Sequence, residues 1–371
     1  MAENESSSQR PKLPYGKAIG RFKVIKCVGQ GGYGDIYYVT TANQEFPLAL
    51  KFEHTNARKQ ALRREYEYML RVQGSIHFPR LVSFIEEDHY RYLVMEMLGP
   101  SVSNLRRSCP KHLLSLGTTL NVAKTMLSVI QEFHERGMIH RDIKPSNFLL
   151  RPGSKDFLCL IDYGLSKKYV DDETGELYEP LEHAGFKGTL KYASPHAHFG
   201  DDQGRRDDLF SWFYSIVELR LGKLPWANTK GRTHVLKAKR RYRRSEDILI
   251  LPNEFQVILR YIEHLKFFQT PDYNYLQNIL DQLFEHYQLN KDDLLDWEKI
   301  SDEQAKKISI FPLKRTDKPV PFPIEDIVKQ ESTEKAKKKK EEEKLQAEIA
   351  NSKTRETANK RNASSVVCLL I

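Results

Sequence analysis

The apolar residues of this chain change their rhythm once, near Leu98, and that change limits the folds open to it. Between Phe22 and Met95 they fall in short β-branched runs, such as Phe22, Val24, Ile25, Cys27 and Val28, which read as strands. One helical stretch, at about residues 57–72, interrupts them. After Leu98 helical spacing takes over. Residues 120–136 place Val122, Met126, Val129, Ile130 and Phe133 on one face, and Gly137 stops the run. Residues 209–221, 254–268 and 275–287 repeat the pattern. A strand-rich unit ahead of a larger helix-rich one predicts an α+β fold of two lobes with a cleft between them.

Three regions follow along the 371 residues. Residues 1–21, polar and carrying Pro11, Pro14, Gly16 and Gly20, read as a flexible lead-in. Residues 22–300 form the folded domain, with a small lobe over 22–97 and a large one over 98–300. Residues 301–371 begin as an extended linker with Pro312, Pro319, Pro321 and Pro323. They continue as a Lys- and Glu-dense tail around Lys337–Glu343, either a solvated helix or disordered. Lys and Arg number 59 against 50 Asp and Glu, and the net charge of +9 favours acidic partners: phosphate, acidic peptide or membrane surface. Cys27, Cys109, Cys159 and Cys368 lack metal-type spacing, which argues against a zinc module and a disulfide scaffold. The start of the chain lacks the apolar core of a signal peptide, and Ala2 stands where myristoylation needs glycine. No stretch of eighteen apolar residues occurs. The expectation is an intracellular soluble protein.

Four short strings carry chemistry. Gly29-Gln30-Gly31-Gly32-Tyr33-Gly34 has the G-x-G-x-x-G spacing, and a strand-like stretch, Asp35–Val39, follows it where a dinucleotide fold would place a helix. Such a loop can fold over nucleotide phosphates; an ordinary glycine hairpin fits the same string. Lys51 ends the apolar run Leu48-Ala49-Leu50, and Glu65 lies in the helical stretch beyond it. A lysine held by a helix carboxylate can grip α- and β-phosphates, although surface residues of both types are commoner. The decisive string is His140-Arg141-Asp142-Ile143-Lys144-Pro145-Ser146-Asn147, followed by Asp162-Tyr163-Gly164. Asp142 is placed to accept a hydroxyl proton, and Lys144 to neutralise a transferred phosphoryl group. Asn147 and Asp162 offer hard oxygens suited to Mg²⁺.

With these strings residues 22–297 resemble a eukaryotic protein kinase, and more narrowly the casein kinase 1 superfamily. The narrower likeness rests on Met95-Glu96-Met97-Leu98-Gly99-Pro100-Ser101, on Gly188-Thr189-Leu190-Lys191-Tyr192-Ala193-Ser194, on Arg205-Arg206-Asp207-Asp208-Leu209 and on Leu224-Pro225-Trp226. Ala184-Gly185-Phe186-Lys187 and Ala197-His198 are most similar to the tau-tubulin kinase branch. The resemblance implies a bilobal kinase fold, Mg·ATP as cofactor and Ser/Thr of protein substrates as acceptor. It implies that Met95 is the gatekeeper and that the backbone of Glu96 to Leu98 meets adenine. Ile36, Ala49 and Leu149 would sandwich the ring, with Ile161 just below. Met69, Tyr163 and His140 would stack into a spine, Thr189 would sit beside Asp142 and Lys144, and Asp208 would anchor the catalytic loop. Two departures stand out. Tyr163 replaces the usual Phe of the metal-binding triplet, and Ala193-Ser194-Pro195 replaces Ala-Pro-Glu, which removes a Glu–Arg bridge. The expectation is activity without an activating phosphate on residues 165–187.

Residues 230–244 carry Lys230, Arg232, Lys237, Lys239, Arg240, Arg241, Arg243 and Arg244 without a single acid. They read either as a solvated basic face or as a docking surface for acidic or phosphorylated peptides. The resemblance adds an anion pocket built on Lys191 and the loop holding Lys230. No aromatic platform is interleaved with these charges, so nucleic acid is not an expected partner. The chain ends Cys368-Leu369-Leu370-Ile371, a C-a-a-X match, which predicts prenylation of Cys368 and membrane association of an otherwise cytoplasmic protein, with the nucleus left open. The rival from another class is a membrane-tethered pseudokinase scaffold. Lys51, Glu65, Asp142, Asn147 and Asp162 all hold the chemically needed residue, which speaks against it.

Overall fold

The computed structural model describes residues 12–31, 34–41, 44–55, 60–152, 158–242, 248–311 and 313. They belong to one compact unit, residues 1–320; the second unit, 321–371, lies outside the described residues. Six antiparallel strands build the small lobe: β1 (Ala18–Ile19), β2 (Phe22–Gly31), β3 (Gly34–Thr41), β4 (Gln44–His54), β5 (Leu81–Glu86) and β6 (Tyr90–Glu96), in the order β1-β2-β3-β4-β6-β5. β4 is an inner strand, and Leu48, Ala49, Leu50, Lys51 and Phe52 are all buried, which places a lysine in the interior. Helix α1 (Leu62–Arg71) packs against β5 and β6, with Tyr66 stacked on Phe84 at 4.4 Å between centroids.

The large lobe is helical. Helix α2 (Val102–Ser108) leads to α3 (Leu116–Glu135), which Ser115 caps by accepting the Thr118 N–H. α3 packs on α5 (Arg205–Leu221) and on α8 (Tyr273–His286). α5 is buried on nearly every side, and its Trp212 indole donates to the Ala123 carbonyl at 3.0 Å. Helices α4 (Pro195–Phe199), α6 (Arg232–Tyr242) and α7 (Asn253–His264) complete the outer layer. Two short strand pairs sit in this lobe: β7 (Met138–Ile139) with β10 (Lys167–Lys168), and β8 (Phe148–Leu150) with β9 (Leu158–Leu160). They hold the two loops, 140–147 and 161–166, that carry the predicted chemistry side by side.

Two expected boundaries move. The lead-in is not flexible as far as residue 21. Ile19 is buried and pairs with Phe22, and the buried Leu13 donates its N–H to the Tyr37 hydroxyl at 3.1 Å. At the other end the fold does not stop at 300. Helix α9 (Asp302–Ile308) follows, capped by Ser301, and packs on α2, with Leu313 buried beyond it. α9 has no fully buried side chain, so it shows no apolar periodicity. Its signature is electrostatic: Asp302 and Glu303 in the first turn, Lys306 and Lys307 in the last. The prolines beyond it and the Lys/Glu tail lie outside the described residues. Among those described, no helix is long and apolar enough to cross a membrane, and Cys27, Cys109 and Cys159 are free thiols.

Candidate active site

Lys51 donates from Nζ to Glu65 Oε2 at 2.6 Å and to Asp162 Oδ1 at 3.1 Å, which joins β4, α1 and the 161–166 loop. Burial opposes the ammonium, but the two carboxylates outweigh it and hold Lys51 above the usual lysine range. Burial likewise works against a charged Asp162, and Lys51 reverses it, holding that carboxyl below its usual range. Burial pushes Glu65 up, against the pull of Lys51. The lysine is therefore a fixed, buried cation that joins the small lobe to the 161–166 loop.

Asp142 lies at the centre of a second network. Lys144 donates to its Oδ2 at 2.6 Å and to the Thr189 hydroxyl at 3.1 Å, and that hydroxyl donates to Asp142 Oδ1 at 2.7 Å. The loop itself is tied down by Asp208 of α5, whose carboxylate accepts the N–H groups of His140 (2.6 Å) and Arg141 (2.7 Å). Asp208 is completely buried. Burial works against its charge, yet its hydrogen bond with His134 at 2.9 Å helps hold the carboxyl low. Gly188 shows how closely the Thr189 segment approaches: at φ +99° an added Cβ would lie 2.6 Å from the Arg141 carbonyl. Arg141 (φ 65°) and Asp162 (φ 68°) both hold left-handed backbone without being glycine, a strain that concentrates at functional sites.

The Ile161 N–H donates to the Asn147 carbonyl at 3.0 Å, which ties the residue before Asp162 to the 140–147 loop. The Asn147 amide nitrogen donates to the Asp142 carbonyl at 2.9 Å, which leaves its Oδ1 as the atom for a cation. One amide and one carboxylate oxygen suit a small hard divalent cation that keeps water and phosphate oxygens in its shell.

Between the lobes lies a cavity of about 640 Å³. The adenine residues expected from the sequence, Ile36, Ala49, Met95, Glu96, Leu98, Leu149 and Ile161, all line it, and so does Gly29 of the glycine loop. The Glu96 carboxylate turns away to the buried Arg151 at 2.6 Å. Gln30, Gly31 and Gly34 lie on the β2–β3 hairpin, where Gly31 pairs with Gly34; Gly32 and Tyr33 are outside the described residues. The spine is assembled too, with Met69, His140 and Tyr163 buried and the His140 and Tyr163 rings edge-on at 6.1 Å.

The basic surface is less uniform than its sequence. Lys191 ion-pairs with the buried Glu218, so its charge already has a partner, whereas Lys230 is exposed ahead of α6. Lys239 is buried, not part of a solvated face. It donates to the carbonyls of Leu190 (3.0 Å) and Ala193 (2.6 Å), and lies 3.2 Å from His198 Nε2. Arg243, Arg244 and Cys368 lie outside the described residues. Sequence reasoning missed Lys239 because a buried lysine without a carboxylate partner is indistinguishable, in a basic run, from its exposed neighbours.

A nucleotide-sized cleft between the lobes, together with a lysine fixed by two carboxylates, a carboxylate held by a lysine and a hydroxyl, and two oxygens suited to a cation, has the parts that phosphoryl transfer needs. The chain belongs to the protein kinase family: the Protein kinase domain matches residues 22–308. Over 281 residues it is 34% identical to a Dictyostelium discoideum protein named "Probable serine/threonine-protein kinase". That match covers 75% of this chain and 57% of the relative, so the chain spans less than two thirds of that protein's length. Membership of the family implies ATP and a divalent cation, typically Mg²⁺, as cofactors.

Proposed function

We propose that this protein is a serine/threonine protein kinase of the casein kinase 1 superfamily, on its tau-tubulin kinase-like branch. It transfers the ATP γ-phosphoryl group to Ser or Thr of acidic or already phosphorylated protein substrates, and it needs no activating phosphate. The observation that carries this reading is the Asp142–Lys144–Thr189 network facing the Lys51–Asp162 pair. In this reading the Asp142 carboxylate orients the acceptor hydroxyl and takes its proton, while Lys144 meets the charge on the phosphoryl group. Thr189 and Lys144 each hold one Asp142 oxygen in place. Lys51, kept cationic and positioned by Glu65, grips the phosphates nearer adenine. Asn147 and Asp162 would hold Mg²⁺, which supplies charge neutralisation at the phosphate oxygens.

Acidic or primed substrates are supported by exposed Lys230, Arg232, Lys237, Arg240 and Arg241 at and beside α6, and less by Lys191, which has its own carboxylate. Prenylation at Cys368 and a cytoplasmic, membrane-associated location rest on the last four residues alone. A pseudokinase scaffold would not need the assembled networks described above. Transfer of phosphate from ATP to casein by wild type, reduced about 10²- to 10⁴-fold in Asp142→Asn with folding intact, is the expected result. Equal rates in the two proteins would defeat the assignment.

A further inference from the structure

The outer wall of the nucleotide cavity does not come from either lobe's core. Residues 306–311, the last turn of α9 and the three residues after it, line it together with Lys26, Cys27 and Val28 of β2. Ser309, Ile310 and Phe311 lie beyond the matched kinase domain. The placement has a cause in both directions along the chain. Ala305 and Ile308 pack against the core on one side, and Leu313 is buried on the other. Between these anchors Ser309, Ile310 and Phe311 lie beside the hinge, where Pro100, Ser101 and Asn104 line the same cavity. The Phe311 N–H donates to the Ser309 hydroxyl at 3.0 Å, which tightens the turn. Ile310 is 55% exposed and Val28 is 40% exposed, two apolar side chains lining one cavity without a full cover.

We propose that Ile310 and Phe311 are nucleotide-binding residues: they form an apolar wall against the outward edge of the adenosine moiety, supplied by the chain's extension past the kinase domain. The inference rests on the cavity being the ATP site. It makes nucleotide affinity depend on residues more than two hundred positions from the hinge. Because the wall touches the base and ribose and not the phosphates, it contributes to binding without taking part in transfer.

The test is titration calorimetry on the full chain with three probes: the magnesium complex of AMP-PNP, adenosine, and inorganic tripolyphosphate. Replacing both residues (Ile310→Ala with Phe311→Ala) is expected to weaken AMP-PNP and adenosine by the same factor, about three- to tenfold, and to leave tripolyphosphate unchanged. KM for ATP should rise with kcat retained, the signature of lost uniform binding. Ile310→Leu should restore wild-type affinity. Should the double variant fail to fold, Ile310→Ala alone, at a half-exposed position, carries the test. Unchanged affinities would overturn the inference while leaving the ATP site standing. Tighter binding would overturn it too, by making the segment an obstruction. Wild type that binds none of the three probes would instead bring down the nucleotide site and this wall with it.

Discussion

At the scale of single residues, the departure at Tyr163 adds a hydroxyl to the Asp162-Tyr163-Gly164 triplet, and the fold gives that hydroxyl a partner. Its ring is fully buried and stacks on Phe133 at 5.6 Å, and its hydroxyl donates to the Leu160 carbonyl at 2.6 Å. Burial pushes that hydroxyl far above the usual tyrosine range, so it remains a donor at any working pH. Tyr163→Phe is expected to cost about 1 kcal/mol of stability, the net value of one buried hydrogen bond, and to leave kcat within about twofold. Urea unfolding and steady-state kinetics on the same samples check both halves. The catalytic residues were legible beforehand because phosphoryl transfer demands particular atoms: a carboxylate at 142, an ammonium at 51, oxygens at 147 and 162. Gly188 was legible only as part of a string. The need for glycine there comes from the Arg141 carbonyl, which is 47 positions away and visible only in three dimensions.

At the scale of elements, α6 shows why composition misleads. Its sequence is a basic run, yet one lysine turns inward and clamps the segment following Thr189. Lys239 Nζ reaches two carbonyls of that segment and rests over the rings of Tyr214 at 4.8 Å and Trp226 at 5.5 Å. This tether stands where the sequence lacks the Ala-Pro-Glu carboxylate. Lys239→Met keeps the stem and removes the donors. It is expected to lower the melting temperature and to raise KM for a peptide substrate about three- to tenfold more than it changes kcat, because two buried carbonyls lose their partner. The neighbouring His198 sets a pH signature. Burial, with Lys239 beside it, holds the imidazole down to about 4 in the fold, against about 6.5 in an unfolded chain. Between these values the unfolded chain binds the extra proton, so the contribution to stability is full above about pH 6.5 and is lost as pH falls towards 4. Melting curves across that window should slope downward with acid, and His198→Gln should flatten part of the slope. α1, α3, α5, α7 and α8 were readable from apolar spacing, whereas α9 was not, since charge at its ends defines it and a buried stripe does not.

At the scale of the whole molecule, the proposed independence from an activating phosphate turns on what orders the segment after Asp162-Tyr163-Gly164. Kinases that need one use it to gather arginines and order the segment after the metal-binding triplet. Here the arginines already have partners. Arg141 donates to the carbonyls of Leu165 at 2.7 Å and Ser166 at 3.4 Å. Arg71, in the last turn of α1, holds both oxygens of Asp172 at 2.7 and 2.6 Å, and Lys168 adds a third contact to the same carboxylate. These hydrogen bonds hold Asp172 well below the usual carboxylate range. The Asp172 carboxylate thus links the helix that carries Glu65 to the segment that runs on to Thr189. Phosphatase-treated protein is therefore expected to retain its rate within about twofold. Asp172→Asn, which keeps shape and removes charge, should lower kcat by about two- to fivefold, a modest effect because the pair is exposed to solvent. The loss should deepen in 10 mM salt relative to 500 mM, where screening already weakens the wild-type pair. Full loss of turnover on dephosphorylation would show that a phosphate, and not Asp172, completes the assembly.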